Sequence, residues 1–253
     1  MTSTQLSRVN RFMADFARRQ AVRTVPLPGG FAAYDDSFAE SRANNQVVID
    51  GDVDPEALPA LADEALGHLS HRLVSVLDDE TARACAAPLV SAGYTHSTYL
   101  VMLHTGPVPA RAAAHEVGLD ALRGPLTTRW RGILPDVDDE VVRQLVDRRE
   151  ARLRGADDVR FIGSRAQDGE VASWADLYLD PAAGTAQIED LMTAEAHFRR
   201  GHADAVLATA LHLAGEAGCG TRFLTADAAD WPRRWYERRG FRVIGHSHAF
   251  ERE

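Results

Sequence analysis

Two stretches of this chain share one pattern. Residues 74–103, VSVLDDETARACAAPLVSAGYTHSTYLVML, and residues 223–251, FLTADAADWPRRWYERRGFRVIGHSHAFE, each read as an apolar strand, an acidic turn, a helix, a glycine-aromatic step and a second strand. The order is identical and the spacing nearly so, which implies an internal duplication whose first copy has drifted. Strand-helix-glycine-strand runs are common in α/β chains, so the pattern alone leaves coincidence as the alternative. Between the copies lies one Pro/Gly/Ala-rich connector, HTGPVPARAAA, and it separates halves of similar size. The expected division is therefore residues 1–106 and 107–253.

Periodicity fills in the rest. Leu6, Val9, Met13 and Phe16 recur at helical spacing in LSRVNRFMADFARR, which predicts an amphipathic first helix. Short strands follow in TVPLPGGFAAYDD and NNQVVIDG, then a helix with an Asp-Pro start in DPEALPALADEALGHL. After the connector come a strand in AAAHEV, helices in LDALRGPLTTRWRGIL and DDEVVRQLVDRREARLRG, and a meander of strands in VRFIGSRA, EVASWADLYLD and TAQIEDLMT. The implied class is α/β (α+β), with a sheet flanked by helices in each half.

Composition narrows the function. With 45% hydrophobic residues the chain can bury a core, and no apolar run approaches the length of a membrane span. The N-terminus lacks a basic patch followed by an apolar segment, so the expectation is a cytoplasmic, non-membrane protein. Cys85 and Cys219 lie far apart without ligand spacing, and His246 and His248 have no metal-ligand company, so no metal is expected. A net charge of −9 argues against broad nucleic-acid binding. Arg199, Arg200, Arg233, Arg234, Arg238 and Arg239 are the exception, and concentrated arginine suggests a discrete anion.

The segment QIEDLMTAEAHFRRGHADAVLATALHLAGEAGC, residues 187–219, says where that anion belongs. A strand ends, a short polar corner passes through Arg199-Arg200-Gly201-His202-Ala203, and a long Ala/Leu/Val helix begins at once. The first N–H groups of a helix have no partner and carry partial positive charge, so they hold an anion where no side chain blocks the approach. Gly201 and Ala203 leave the approach clear, and the arginines add full charges. A lone G-x-A is also what an ordinary tight turn requires.

Here the chain resembles the GNAT N-acetyltransferase superfamily. IEDLMTAEAHFRRGHA is similar to that family's fourth strand and R/Q-x-x-G-x-G/A loop, with Gly201 and Ala203 in place and Phe198 where Arg or Gln is usual. DAADWPRRWYERRGF is similar to the family's N-x-x-x-x-x-Y-x-x-x-G-F segment, with Asp230 at the Asn position and Tyr236 at the Tyr. The resemblance covers the second half, and the first half looks like a degenerate copy without the loop. It implies two GNAT-like domains, each built on a mixed, mostly antiparallel sheet. It also implies acetyl-CoA as co-substrate, held by Arg199, Arg200, Gly201, His202, Ala203 and Asp230, with backbone groups of Leu191, Met192 and Thr193 along the pantetheine arm.

Acetyl transfer to an amine needs a neutral amine, a stabilised oxyanion and a proton for the departing thiolate. The resemblance makes Tyr236 the acid; packing under the Gly240-Phe241 turn is its plainer role. For the base, Glu189 and Asp190 are adjacent on one strand and point to opposite faces unless a bulge intervenes, and the longer Glu189 is favoured. Trp174, Asp176 and Tyr178 alternate on the preceding strand and share one face, either as an aromatic and acidic wall for an amine substrate or as core and rim. The reading is an N-acetyltransferase acting on a small-molecule amine, compatible with a homodimer. A non-catalytic acyl-CoA sensor is the alternative.

Overall fold

The computed structural model describes residues 2–253. In chain order the regular elements are α1 (Thr2–Gln20), β1 (Arg23–Leu27), β2 (Gly30–Tyr34), β3 (Gln46–Ile49), α2 (Leu58–Leu66), β4 (Arg72–Val76), α3 (Asp79–Ser91) and β5 (Thr95–His104). There follow β6 (His115–Glu116), α4 (Leu119–Ile133), α5 (Asp139–Asp147), α6 (Arg149–Arg152), β7 (Asp158–Arg165), β8 (Val171–Asp180) and β9 (Thr185–Thr193). The chain ends with α7 (His202–Glu216), β10 (Thr221–Asp227), α8 (Pro232–Glu237) and β11 (Phe241–Arg252). The chain resolves into compact units, one of residues 1–103 with 225–253 and one of residues 104–224.

In the first unit the strands run β1-β2-β3-β4-β11-β5. The β1–β2, β2–β3 and β4–β11 pairs are antiparallel and β3–β4 is parallel. The parallel pair follows from a crossover through α2, which antiparallel neighbours do not need. Leu58, Ala62 and Leu66 of α2 and Ala82, Cys85 and Leu89 of α3 are fully buried in one cluster with Val74, Val76 and Phe250. On α1 the buried stripe is Val9, Phe12, Ala14 and Ala17, so the amphipathic reading of this segment holds with a slightly rotated face.

In the second unit the order is β10-β9-β8-β7-β6. The β6–β7, β7–β8 and β8–β9 pairs are antiparallel and β9–β10 is parallel, with α7 as the crossover. Buried Val206, Leu207, Ala210, Leu211, Leu213 and Ala214 show how thoroughly α7 is packed. A second cluster joins Leu122 and Leu126 of α4, Val142 and Val146 of α5, Phe161, Val171 and Trp174.

Both copies of the recurring pattern fold alike. Strand, helix, strand, helix and strand succeed one another as β3-α2-β4-α3-β5 and as β9-α7-β10-α8-β11. Each glycine-aromatic step has a left-handed glycine, Gly93 (φ 89°) and Gly240 (φ 84°), before a buried ring, Tyr94 or Phe241.

Several expectations shift. The helix expected to start at Asp54-Pro55 starts at Leu58, with Pro59 in its first turn. The AAAHEV strand is only β6, and the long helix expected in DDEVVRQLVDRREARLRG breaks at Arg148 into α5 and α6. The chain passes from the first compact unit to the second between residues 103 and 104, and residues 225–253 go with the first unit. The cause is β11, which pairs with β4 from His248↔Val76 to Arg252↔Arg72 and buries Phe250 among the first unit's residues.

A fragment of residues 1–106 therefore lacks the strand that completes its sheet and core. Expressed alone, it is expected to show no cooperative thermal unfolding by circular dichroism. A sharp two-state transition would show that the first half folds without β11.

Candidate functional site

The second unit gathers its polar chemistry where β8 meets β9. Register runs regularly from Asp180↔Thr185 to Asp176↔Glu189, then jumps so that Trp174 faces Met192. The extra residue is a β-bulge at Asp190, whose φ is 51°. The sequence rule that sends neighbouring strand residues to opposite faces fails here. Glu189 lies directly across from Asp176 and so shares its face, and Asp190 shares arginine partners with Asp176.

Those arginines come from the α6 segment. Arg149 donates from Nε to Asp176 at 3.2 Å and from Nη2 to Asp190 at 3.0 Å. Arg152 Nη1 donates to Asp190 at 2.8 Å and makes a still shorter contact with Asp176. Asp176 also accepts from the Tyr178 hydroxyl at 3.2 Å. Asp176 is 0% and Arg149 2% exposed, so these charges persist only because they are paired.

The cluster separates the two candidate bases. Burial alone would raise Asp190, but Arg152, Arg149 and Arg148 overcome it and hold the carboxyl well below its usual range. Burial, and then the charge of Asp190, push Glu189 from 4.5 up to about 7, against Arg152 and a hydrogen bond from Gln187 Nε2 at 2.6 Å. Two adjacent carboxyls thus have divergent environments, an arrangement typical of acid-base sites. Burial likewise raises Tyr178 well above a phenol's ordinary value.

Past the bulge, Leu191, Met192 and Thr193 are partly exposed. The Met192 carbonyl accepts from Ser173 Oγ at 2.6 Å, and Thr193 Oγ1 donates to the same Oγ at 3.0 Å. A 3-10 turn at Glu195–His197 leads through exposed Phe198, Arg199 and Arg200 to Gly201, the N-cap of α7. Gly201 has φ 83°, no side chain caps the helix, and a Cβ at Gly201 would meet nothing within 4 Å. The first backbone bond is Ala205 N–H to the Gly201 carbonyl. Open space, an uncapped helix start and two exposed arginines fit a pyrophosphate. His202 is turned to the protein, its Nδ1 2.8 Å from Ser164 Oγ and its ring edge-on to His197 at 5.7 Å.

Trp174, Asp176 and Tyr178 share the Glu189 face by their alternation, and all are buried. In the first unit, Tyr236 on α8 is 8% exposed, with its ring edge-on to Trp235 at 5.1 Å and to Phe241 at 5.6 Å. Asp230 is exposed and accepts from the Trp231 N–H at 2.7 Å. Among the described residues no group of three or more His, Cys, Asp or Glu side chains is placed to hold a metal ion. Among the same residues no helix is long and apolar enough to cross a membrane.

Residues 127–241, which span the bulged strand, the Gly201 corner and Tyr236, match the model of the acetyltransferase (GNAT) family. Over this stretch, a little under half of the chain, it is similar to the GNAT family. Similar folds include a GCN5-related N-acetyltransferase from Kribbella flavida, 19% identical over 97% of this chain and 94% of that one, with TM-score 0.62. A functionally unknown conserved protein from Staphylococcus epidermidis is 10% identical over 91% of this chain and 94% of that one, TM-score 0.68. A GNAT-family acetyltransferase from Colwellia psychrerythraea is 14% identical over 98% and 97%, TM-score 0.52. No curated protein sequence matches the chain. Acetyl transfer is the chemistry for which that family is named.

Sequence reading missed Arg148, Arg149, Arg152, Gln187 and Ser164. The signal available was the run Arg148-Arg149-Glu150-Ala151-Arg152, in which Arg152 follows Arg149 by three residues and Arg148 by four, the spacings at which helical side chains are neighbours. A charge run of this kind is read by default as solvated.

Folding raises the Glu189 carboxyl, so the folded chain keeps a proton that the unfolded chain releases between pH 4.5 and about 7. Stability conferred while that proton is shared by both states is lost as pH climbs through this window. Glu189→Gln removes the loss. The variant's melting temperature is expected to match the parent's near pH 4.5 and to exceed it increasingly up to pH 8 in scanning calorimetry. A difference that is constant with pH, or a variant less stable at pH 8, would contradict the placement of Glu189.

Proposed function

We propose that the chain is an acetyl-CoA-dependent N-acetyltransferase that acetylates the amine of a small molecule by direct attack on the thioester. The observation that carries this reading is the sequence of features along one strand: a bulge, beside it a carboxyl poised near neutral pH, and at the strand's end an uncapped helix start opened by a left-handed glycine.

The backbone N–H groups at the start of α7, with Arg199 and Arg200, would hold the pyrophosphate, and the β9 end from Leu191 to Thr193 would lie along the pantetheine arm. Bound acetyl-CoA supplies the activated acyl carbon. Glu189 takes a proton from the ammonium, directly or through a water, and a pKa near 7 suits a base that works at neutral pH. The amine nitrogen then forms its bond to the acyl carbon as the carbon-sulfur bond breaks, and its second proton leaves to water, from which Tyr236 is reprotonated after it has served the thiolate. Tyr236 returns a proton to the leaving thiolate, a role it carries on the family resemblance. A mere acyl-CoA sensor would have no use for a carboxyl tuned in this way.

Gly201 is a poor place to test cofactor binding, because any side chain at φ 83° strains the backbone whatever it does to the ligand. Ala203 lies within α7, where every ordinary residue is tolerated. Ala203→Glu is expected to lower CoA affinity at least roughly tenfold by setting a carboxylate against the phosphates, while an acidic residue in the first turn leaves the helix stable. Calorimetry on the parent should give one CoA site per chain. Unchanged affinity in the variant, or two equal sites in the parent, would contradict the assignment.

Tyr236→Phe keeps the ring against Phe241 and deletes the hydroxyl. CoA affinity should stay within a few-fold of the parent while single-turnover acetyl transfer falls by roughly 10²–10⁴, the usual worth of a positioned acid. Undiminished transfer would leave Tyr236 a packing residue.

A further inference from the structure

We infer that Gln187 is a positioning residue for Glu189: its side-chain amide holds the carboxyl in one place whether that carboxyl is ionised or protonated, as a base that takes up and gives back a proton requires. The inference rests on the acetyl-transfer reading above and adds to it the residue that steadies the base.

The support lies in one strand. Gln187 and Glu189 alternate on β9 ahead of the bulge at Asp190, so they share a face, and Gln187 Nε2 donates to Glu189 Oε2 at 2.6 Å. Across β8 that face continues with Tyr178 opposite Gln187 and Asp176 opposite Glu189. Gln187 is buried, whereas Glu189 is only partly so. The parallel pairing of β9 with β10 runs from Thr185↔Thr221 to Gln187↔Phe223. Gln187 is therefore held by a neighbouring strand on each side, and Glu189 follows just beyond the last β10 pair. A buried amide on a doubly paired residue is a stiff support for the more accessible carboxyl next to it.

The charged groups around Glu189 are engaged with one another. Arg149 and Arg152 bond Asp176 and Asp190, Arg148 acts on Asp190 as well, and the Tyr178 hydroxyl donates to Asp176. The bond that Glu189 accepts comes from a neutral side chain instead. This difference matters for a proton carrier. A guanidinium has donors alone, so it holds a carboxylate and lets go of the protonated acid. Asp190 has partners of that kind and is kept ionised.

A primary amide carries both donors and an acceptor. It gives an N–H to the carboxylate, and with the amide turned over its carbonyl accepts the O–H of the acid, so one side chain fits Glu189 before and after proton transfer. Its bond to Oε2 leaves Oε1 for the substrate ammonium. A hydrogen bond to an ionised oxygen is also the stronger of the two. Burial and the charge of Asp190 raise the Glu189 carboxyl to about 7, and Arg152 and the Gln187 bond keep it from rising further. The amide thus helps to keep the base form populated at neutral pH.

The test uses the full chain, isotope-labelled at glutamate carboxyls and glutamine side-chain amides and titrated by NMR without any ligand. In the parent, the Gln187 amide is expected to shift with the same midpoint as the Glu189 carboxyl, near pH 7. Gln187→Met keeps the length of the side chain and removes the amide. There the Glu189 midpoint should rise by about one pH unit, the extra strength of a hydrogen bond to a charged group. Transfer is measured from saturating acetyl-CoA to 2-phenylethylamine, 1,4-diaminobutane and glucosamine. With the amine that the parent acetylates fastest, Gln187→Met should be about tenfold slower near pH 6 and within about twofold of the parent near pH 9. Comparing both proteins with the same amine at each pH cancels the amine's own titration.

A Gln187 amide that ignores the Glu189 titration would overturn the inference, and that result needs only the parent chain. So would a Glu189 midpoint unmoved in Gln187→Met, or a rate loss equal at both pH values, which is what a purely structural role produces. Failure of the parent to bind CoA is a different result: it removes the acetyl-transfer reading and leaves the two titrations as they are.

Discussion

The second unit turns on a pair of carboxylates, Asp176 and Asp190, held by Arg149 and Arg152 at a bulge. Asp176 is 0% exposed and could not stay charged there alone. The bulge puts Asp190 in a left-handed conformation that aspartate tolerates better than most residues, and so brings it to the same arginines. Breaking such a pair from one side costs on the order of 3–5 kcal/mol, because it leaves a buried charge uncompensated. The geometry of β9 beyond the bulge, from Leu191 to Thr193, depends on this register jump being held.

The same pairing sets the Glu189 carboxyl apart. Once Asp190 has the arginines, Glu189 is left with burial, a negative neighbour and an amide donor, and its carboxyl moves towards neutrality. A structural ion pair and a near-neutral carboxyl are thus two results of one arrangement. This explains why Glu189 and Asp190, adjacent and chemically alike, are not interchangeable.

Much of this was legible in the chain, with the limits set by physics. Element order and type followed from periodicity, because α7 and the β7-β8-β9 meander repeat at 3.6 and 2 residues. The Gly201 corner was legible because a glycine after arginines at a helix start has few uses. The face of Asp190 was not, since a bulge depends on which arginines await the side chain and those lie about 40 residues upstream. Arg149 was hidden for the converse reason: nothing local tells a helix that its charged run will be covered. Residues 225–253 joined the first unit through the pairing of β11 with β4, a contact between strands remote in sequence. Strand periodicity fixes which side chains share a face and says nothing about the neighbouring strand.

The two strand-helix-strand runs, β3-α2-β4 and β9-α7-β10, differ most at the corner before the helix. Each has a strand, a helix and a parallel strand, and each helix start exposes N–H groups. Before α7 the chain offers Arg199, Arg200 and a left-handed glycine, and no side chain caps the helix. Before α2 it offers Asp50, Asp52, Asp54 and Glu56, all exposed, in a turn where Asp54 Oδ1 already accepts from the Glu56 N–H. The first corner gathers carboxylates and caps part of its own turn, whereas the second gathers arginines and leaves its helix start uncapped. The first copy keeps the backbone of the crossover, so its core and sheet survive. What it lacks is the pair of arginines and the left-handed glycine, and those belong to a handful of residues at one corner.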